Sequence, residues 1–170
     1  PKSIGEVQHL EILCEDFKPE GEIFDNFLMN TVIPYVENNF PVCTDRQNVA
    51  VCGSSSGGLM SFFSAFEHPE KFGYAGVFSP AFLCYTREDW AKYLSTKIVE
   101  NMPYLYIYTG NGDELEEMIF ESAEMLYELL EESFYPYDRM NEVILFENAH
   151  NEKSWREIFH DFHHTFLSRL

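Results

Sequence analysis

Apolar positions along the chain follow two alternating rhythms. Within residues 24–40 they fall at Phe24, Phe27, Leu28, Val32, Tyr35, Val36 and Phe40, a spacing that predicts an amphipathic helix. Pro34 within it predicts a kink or an early break. Residues 48–52 form instead a short continuous apolar run, the pattern of a strand buried on both faces. Residues 53–58 read as a tight Ser/Gly turn, and 59–66 as a buried helix ended by Pro69. The alternation then repeats: strands are expected at 74–78, 104–108 and 142–146, helices at 88–99, 114–131 and 152–167. Strands alternating with helices predict an α/β fold, a mostly parallel sheet with helices on both faces. Residues 9–13 allow one more short strand, and residues 1–21 are otherwise hard to read.

The chain has 170 residues, 45% of them hydrophobic, enough for a single domain with its own core. No apolar run approaches the roughly 18 residues of a membrane span, so no membrane partner is expected. The net charge of −18 would repel phosphate backbones, which argues against nucleic acid as a partner. The N-terminus carries neither the basic and apolar blocks of a signal peptide nor an initiator Met, which suggests a chain cut from something longer. Cys14, Cys43, Cys52 and Cys84 form no CxxC pair, so neither a zinc nor a redox site is expected. Cys52, inside an apolar strand, reads as a small buried core residue.

Residues 53–57 read G-S-S-S-G with Ser55 at the centre, followed by Gly58. A Ser/Gly cluster alone is most often a turn. Here it joins an apolar strand to an apolar helix, the context in which a G-x-S-x-G sequence exposes a nucleophilic serine on a strained elbow. Gly53 and Gly57 are expected to let neighbouring backbone pass, and the amide of Ser56 to face a developing oxyanion. Two further features follow later sheet edges. Asp113 is the first carboxylate after the 104–108 strand and is expected to orient an imidazole; as a simpler role it could cap the next helix. Glu114, Glu116 and Glu117 are rivals expected to face solvent from the first helical turns. His150, in the loop before the last helix, is the expected general base. Ser55, Asp113 and His150 thus fall in the chain order of an α/β-hydrolase triad. His9 lies too early for that order, and His68 sits at a helix end. His160, His163 and His164 share one helix face, but no second ligand cluster supports a metal site.

Residues 48–82, NVAVCGSSSGGLMSFFSAFEHPEKFGYAGVFSPAF, closely resemble the elbow region of the putative-esterase family, which includes esterase D, enterochelin-type esterases and feruloyl or acetyl-xylan esterases. The T-G-N-G-D at 109–113 resembles that family's acid loop, and AHNEKSWREIFHDFHHTFL at 149–167 its closing helix. The resemblance runs from about Glu22 to the C-terminus. It implies an α/β-hydrolase fold and hydrolysis of carboxylic esters, with Ser55, Asp113 and His150 at the triad positions and no cofactor or metal. The substrate it implies is a small-molecule or carbohydrate-linked ester. Phe78, Ser79, Phe82 and Trp155 are candidates for lining an acyl or aryl pocket, with core packing as the equal alternative. Family members carry further strands and an oxyanion loop before the first helix read here, so the chain is expected to be the C-terminal portion of the full fold or a reduced relative. A non-catalytic assembly module on the same fold is the competing reading. A bare edge on the 48–52 strand would call for pairing with residues 1–13, with upstream sequence or with a second copy of the chain.

Overall fold

The computed structural model describes residues 1–11, 13, 18–97 and 101–169. Four parallel strands, β1 (Ala50–Ser54), β2 (Tyr74–Phe78), β3 (Tyr104–Thr109) and β4 (Met140–Ile144), lie side by side in the order β1-β2-β3-β4. Helices α1 (Gly21–Phe27) and α2 (Ile33–Asn39) precede the sheet. Helix α3 (Ser56–Glu67) links β1 to β2, α4 (Arg87–Lys97) precedes β3, α5 (Glu114–Glu132) precedes β4, and α6 (Glu152–Leu167) follows it. The expected break at Pro34 takes the form of one π-helical stretch, Leu28–Val32, between α1 and α2. The wider turn takes up the backbone bond that proline cannot make.

Strand periodicity divides the interior into two cores. Ala75, Val77, Leu105 and Ile107 point to one face and pack with Phe62, Phe66, Trp90, Leu126 and Leu130 from α3, α4 and α5. Tyr104, Tyr106, Tyr108 and Phe78 point to the other and meet Ile158 and Phe162 of α6. Successive side chains of one strand thus serve opposite layers.

Helix α6 lies over β2 and β3: an added Cβ on Gly76 of β2 would stand 3.0 Å from the Phe162 ring. The same face of β1 is covered only in part: Ala50 packs against the α6 core, while Cys52 does not. The expectation that β1 is buried on both faces is therefore corrected. Its residues are only partly buried, and Cys52 is exposed. No described strand pairs with the outer edge of β1 either; residues 1–11 and 13 form no strand, and Ile12 lies outside the described residues. Cys43, Cys52 and Cys84 are free thiols, and Cys14 lies outside the described residues. No described helix is long and apolar enough to cross a membrane.

Candidate active site

Ser55 alone makes the turn between the last residue of β1 and the first of α3. Its backbone sits at φ 56° and ψ −122°, a conformation that costs a non-glycine residue on the order of 1–3 kcal/mol. Neighbouring backbone holds it there. The Ser55 amide donates to the Phe78 carbonyl at 2.9 Å, and the Ser55 carbonyl accepts the amides of Leu59 and Ala81, both at 3.1 Å. Two glycines are required by close approach. An added Cβ on Gly53 would stand 2.6 Å from the Gly57 carbonyl oxygen, and one on Gly58 2.7 Å from that of Phe78. Gly57 itself faces open space, so the second steric demand falls at 58 and not at 57 as expected. As the first residue of α3, Ser56 has an amide with no acceptor inside the helix, at the positive end of the helix dipole.

His150 reaches Ser55 from the loop between β4 and α6. Its Nε2 lies 3.0 Å from the Ser55 hydroxyl oxygen, and its Nδ1 2.6 Å from Oε2 of Glu116. The ring partner is thus Glu116, and the expectation for Asp113 is corrected. Asp113 is the N-cap of α5, and its two oxygens are taken by backbone amides: Oδ1 accepts from Glu116 at 2.8 Å and Oδ2 from His150 at 2.7 Å. The Glu116 amide above all, with that of His150, holds the Asp113 carboxyl below its ordinary value of 3.8, against an opposing effect of desolvation. Asp113 positions the backbone of the histidine and Glu116 its ring.

Glu116 was expected to face solvent; instead its side chain is completely buried. In the first turn of α5 it points back over the end of β3, where Oε1 accepts the Gly110 amide at 2.8 Å and the Ser79 hydroxyl at 2.6 Å. The sequence holds a signal for this. Residues 113–116 read D-E-L-E, the spacing of a capping box, in which the first side chain serves helix amides and the fourth folds back past the helix start.

Of the four candidate pocket residues, Ser79 and Trp155 belong to this network. The Trp155 indole N–H donates to the Ser79 hydroxyl at 2.9 Å, and its ring meets His150 edge-on, centroids 4.9 Å apart. Phe78 and Phe82 are buried in the two cores, Phe82 against Phe62 and Trp90 and Phe78 against Tyr106 and Phe162. Neither offers surface to a ligand. A mainly apolar cavity of about 230 Å³ does adjoin the elbow, lined by Ser56, Leu59 and Met60 of α3 with Phe24, Cys84 and Tyr85.

The remaining histidines stand apart from the site. His68 pairs with Asp25, which also accepts from Ser64 and so joins α1 to α3. His160, His163 and His164 are exposed on α6, and no group of side chains suited to a metal occurs among the described residues.

Known proteins share this arrangement of strands. The chain is 32% identical over 107 residues to an endo-1,4-beta-xylanase/feruloyl esterase of Xylanibacter ruminicola, a match covering 62% of the chain and 13% of that protein. It is 23% identical over 128 residues to the uncharacterized protein YbbA of Bacillus subtilis, covering 74% of the chain and 51% of that protein. The chain therefore spans only part of the length of these relatives. Among solved structures, a ferulic acid esterase superposes with a TM-score of 0.71 at 16% identity, over 86% of this chain and 61% of that one. The enterobactin esterase of Shigella flexneri superposes with a TM-score of 0.66 at 19% identity, over 78% of this chain and 35% of that one. The fold is of the α/β-hydrolase type. A family profile described as "Putative esterase" matches residues 14–166, nearly the whole length, and the chain belongs to that family.

Proposed function

We propose that this chain carries the reacting centre of a serine carboxylic-ester hydrolase, with Ser55 as nucleophile, His150 as general base and then acid, and Glu116 as the carboxylate behind the histidine. The observation that supports it most is the unbroken line from Ser55 through both ring nitrogens of His150 to Glu116, with contacts of 3.0 and 2.6 Å.

The chemistry follows from that line. His150 Nε2 takes the hydroxyl proton as Ser55 Oγ bonds to the ester carbonyl carbon. The tetrahedral oxyanion is met by the Ser56 amide, and Glu116 fixes the ring tautomer and offsets the imidazolium charge. Collapse expels the alkoxide, which leaves as the alcohol with the proton from Nε2. Water then attacks the acyl-enzyme with His150 as base, releasing the acid and restoring Ser55. No metal or organic cofactor enters these steps. The substrate is a small-molecule or carbohydrate-linked ester, and the apolar cavity beside Ser56 suits an apolar acyl group.

A fluorophosphonate probe tests the reading, because it reacts with an activated serine whatever the natural ester. Labelling at Ser55, lost in Ser55→Ala together with hydrolysis of p-nitrophenyl esters, is expected. A folded chain that is neither labelled nor active would favour a non-catalytic assembly module. Activity surviving in Ser55→Ala but lost in Ser54→Ala or Ser56→Ala would move the nucleophile.

A further inference from the structure

The opposite end of the sheet has a different character. Three of the chain's five arginines, Arg46, Arg139 and Arg169, line one cavity of about 320 Å³ together with Tyr74, Tyr104 and Asp138. Tyr74 and Tyr104 open β2 and β3, Arg139 immediately precedes β4, and Arg46 lies in the turn before β1. The cavity therefore sits at the N-terminal ends of the strands. Ser55 and His150 follow their C-terminal ends, on the order of 15–20 Å away along strands of this length.

The cluster is unusual for so acidic a chain. Acidic residues number 29 against 11 lysines and arginines, yet among the described residues no carboxylate forms an ion pair with Arg46, Arg139 or Arg169. The guanidinium groups are held by other means. Arg46 donates through Nε to the Pro69 carbonyl and through Nη2 to that of Asn101. Arg139 donates through Nη1 to the Met102 carbonyl at 2.7 Å. Arg169 lies over the face of Tyr104, 3.8 Å from the ring centroid, a cation–π contact. Burial first, and then the charge of Arg139, lowers the proton affinity of Arg46.

Each guanidinium has five N–H donors, and the bonds above use two on Arg46 and one on Arg139. The heads of Arg46 and Arg139 are thus fixed in place, with donors to spare and a mutual repulsion that no ion pair with a carboxylate relieves among the described residues. An anion seated between them would remove that repulsion and find its donors already oriented. The tyrosine rings beside them would give a flat apolar flank to whatever the anion is attached to. We propose that this cavity binds a phosphate group, free or as a monoester, between Arg46 and Arg139 with Arg169 closing over it. The site is separate from the ester-hydrolysing centre, and its test does not depend on that reading.

Inorganic phosphate and phenyl phosphate are the probes, titrated against the whole chain at constant ionic strength near neutral pH, with chloride as the balancing salt. The expected result is a saturable rise in Tm with both, and binding weakened about tenfold or more in Arg139→Gln, the loss of roughly one charged contact. Tighter binding of phenyl phosphate would identify a monoester as the ligand; equal binding would identify free phosphate. If Arg139→Gln does not fold, Arg169→Gln, altered at an exposed side chain, serves in its place. A Tm that does not respond to phosphate beyond its response to chloride, or a saturable response unchanged in the folded variants, would overturn the proposal.

Discussion

Glu116 Oε2 lies 2.6 Å from Nδ1 of His150, although Glu116 belongs to the first turn of a helix whose neighbouring carboxylates face solvent. One helical turn earlier, Asp113 takes the amide of the same histidine at 2.7 Å. Two carboxylates therefore hold one residue, one by its ring and one by its backbone. Their replacements should differ in kind. Glu116→Gln keeps the volume but loses the charge behind the imidazole, and should lower kcat on p-nitrophenyl acetate by about three to four orders of magnitude. Asp113→Asn keeps an oxygen for one amide and leaves the ring contact in place, so a loss of roughly tenfold is expected. The reverse ranking, in two folded proteins, would return the acid to Asp113.

Ser79 is the relay between Trp155 and Glu116. The indole N–H can only donate, so the Ser79 oxygen accepts from it at 2.9 Å and its O–H donates to Glu116 at 2.6 Å. Ser79→Ala should leave Glu116 one donor short and the indole unpaired, lowering kcat about 10- to 100-fold with little change in KM. Trp155→Phe removes the same N–H from the other end and keeps a ring beside His150. If the two act through one chain of hydrogen bonds, the double variant should lose much less than the product of the single losses. Fully multiplicative losses would show that Trp155 acts by packing alone.

The division between what the sequence discloses and what it hides has a physical origin. The positions of Ser55 and His150 are legible because each follows a strand end, and strand ends follow from period and punctuation. Glu116 is not, because its direction depends on how α5 leaves β3, and a carboxylate in an acidic first turn looks like a solvated one. The capping spacing of Asp113 and Glu116 is the one local clue. The exposure of Cys52 is hidden for a related reason. A continuous apolar run states that a strand resists water on both faces, but whether a helix covers each face is decided by distant parts of the chain, here the placement of α6 over β2 and β3.

Asp113 also links the site to acid stability. Its carboxyl titrates below 3.8 in the folded chain, chiefly through the Glu116 amide, whereas an unfolded aspartate titrates near 3.9. A depressed folded value means stability that is fully present above about pH 4 and lost as the pH falls through the folded value. Asp113→Ala should cost about 1 kcal/mol at pH 7, the usual worth of a helix N-cap. The difference in denaturant midpoint between variant and parent should shrink as the pH is lowered below about 4. A gap that stays constant down to pH 2 would show that the charge of Asp113 contributes nothing to the fold.

The outer edge of β1 yields a prediction at single residues. The Val49 carbonyl accepts from Gly73 and the Ser55 amide donates to Phe78, both toward β2. Backbone groups alternate sides along a strand, so Val51 and Gly53 also face β2, while Ala50, Cys52 and Ser54 turn their amides to the other edge. No described strand takes them up. In the monomeric chain, hydrogen exchange should therefore be fast at Ala50, Cys52 and Ser54 and slow at Val51 and Gly53, within one strand of five residues. An unpaired edge beside partly exposed apolar side chains also invites added strands. If the three outward amides become protected as concentration rises, a second copy of the chain is pairing there. If they become protected only when upstream sequence is joined to Pro1, that sequence supplies the missing strand. Slow exchange at all five positions in a dilute monomer would show that β1 is covered from within the chain, and the edge assigned here would be wrong.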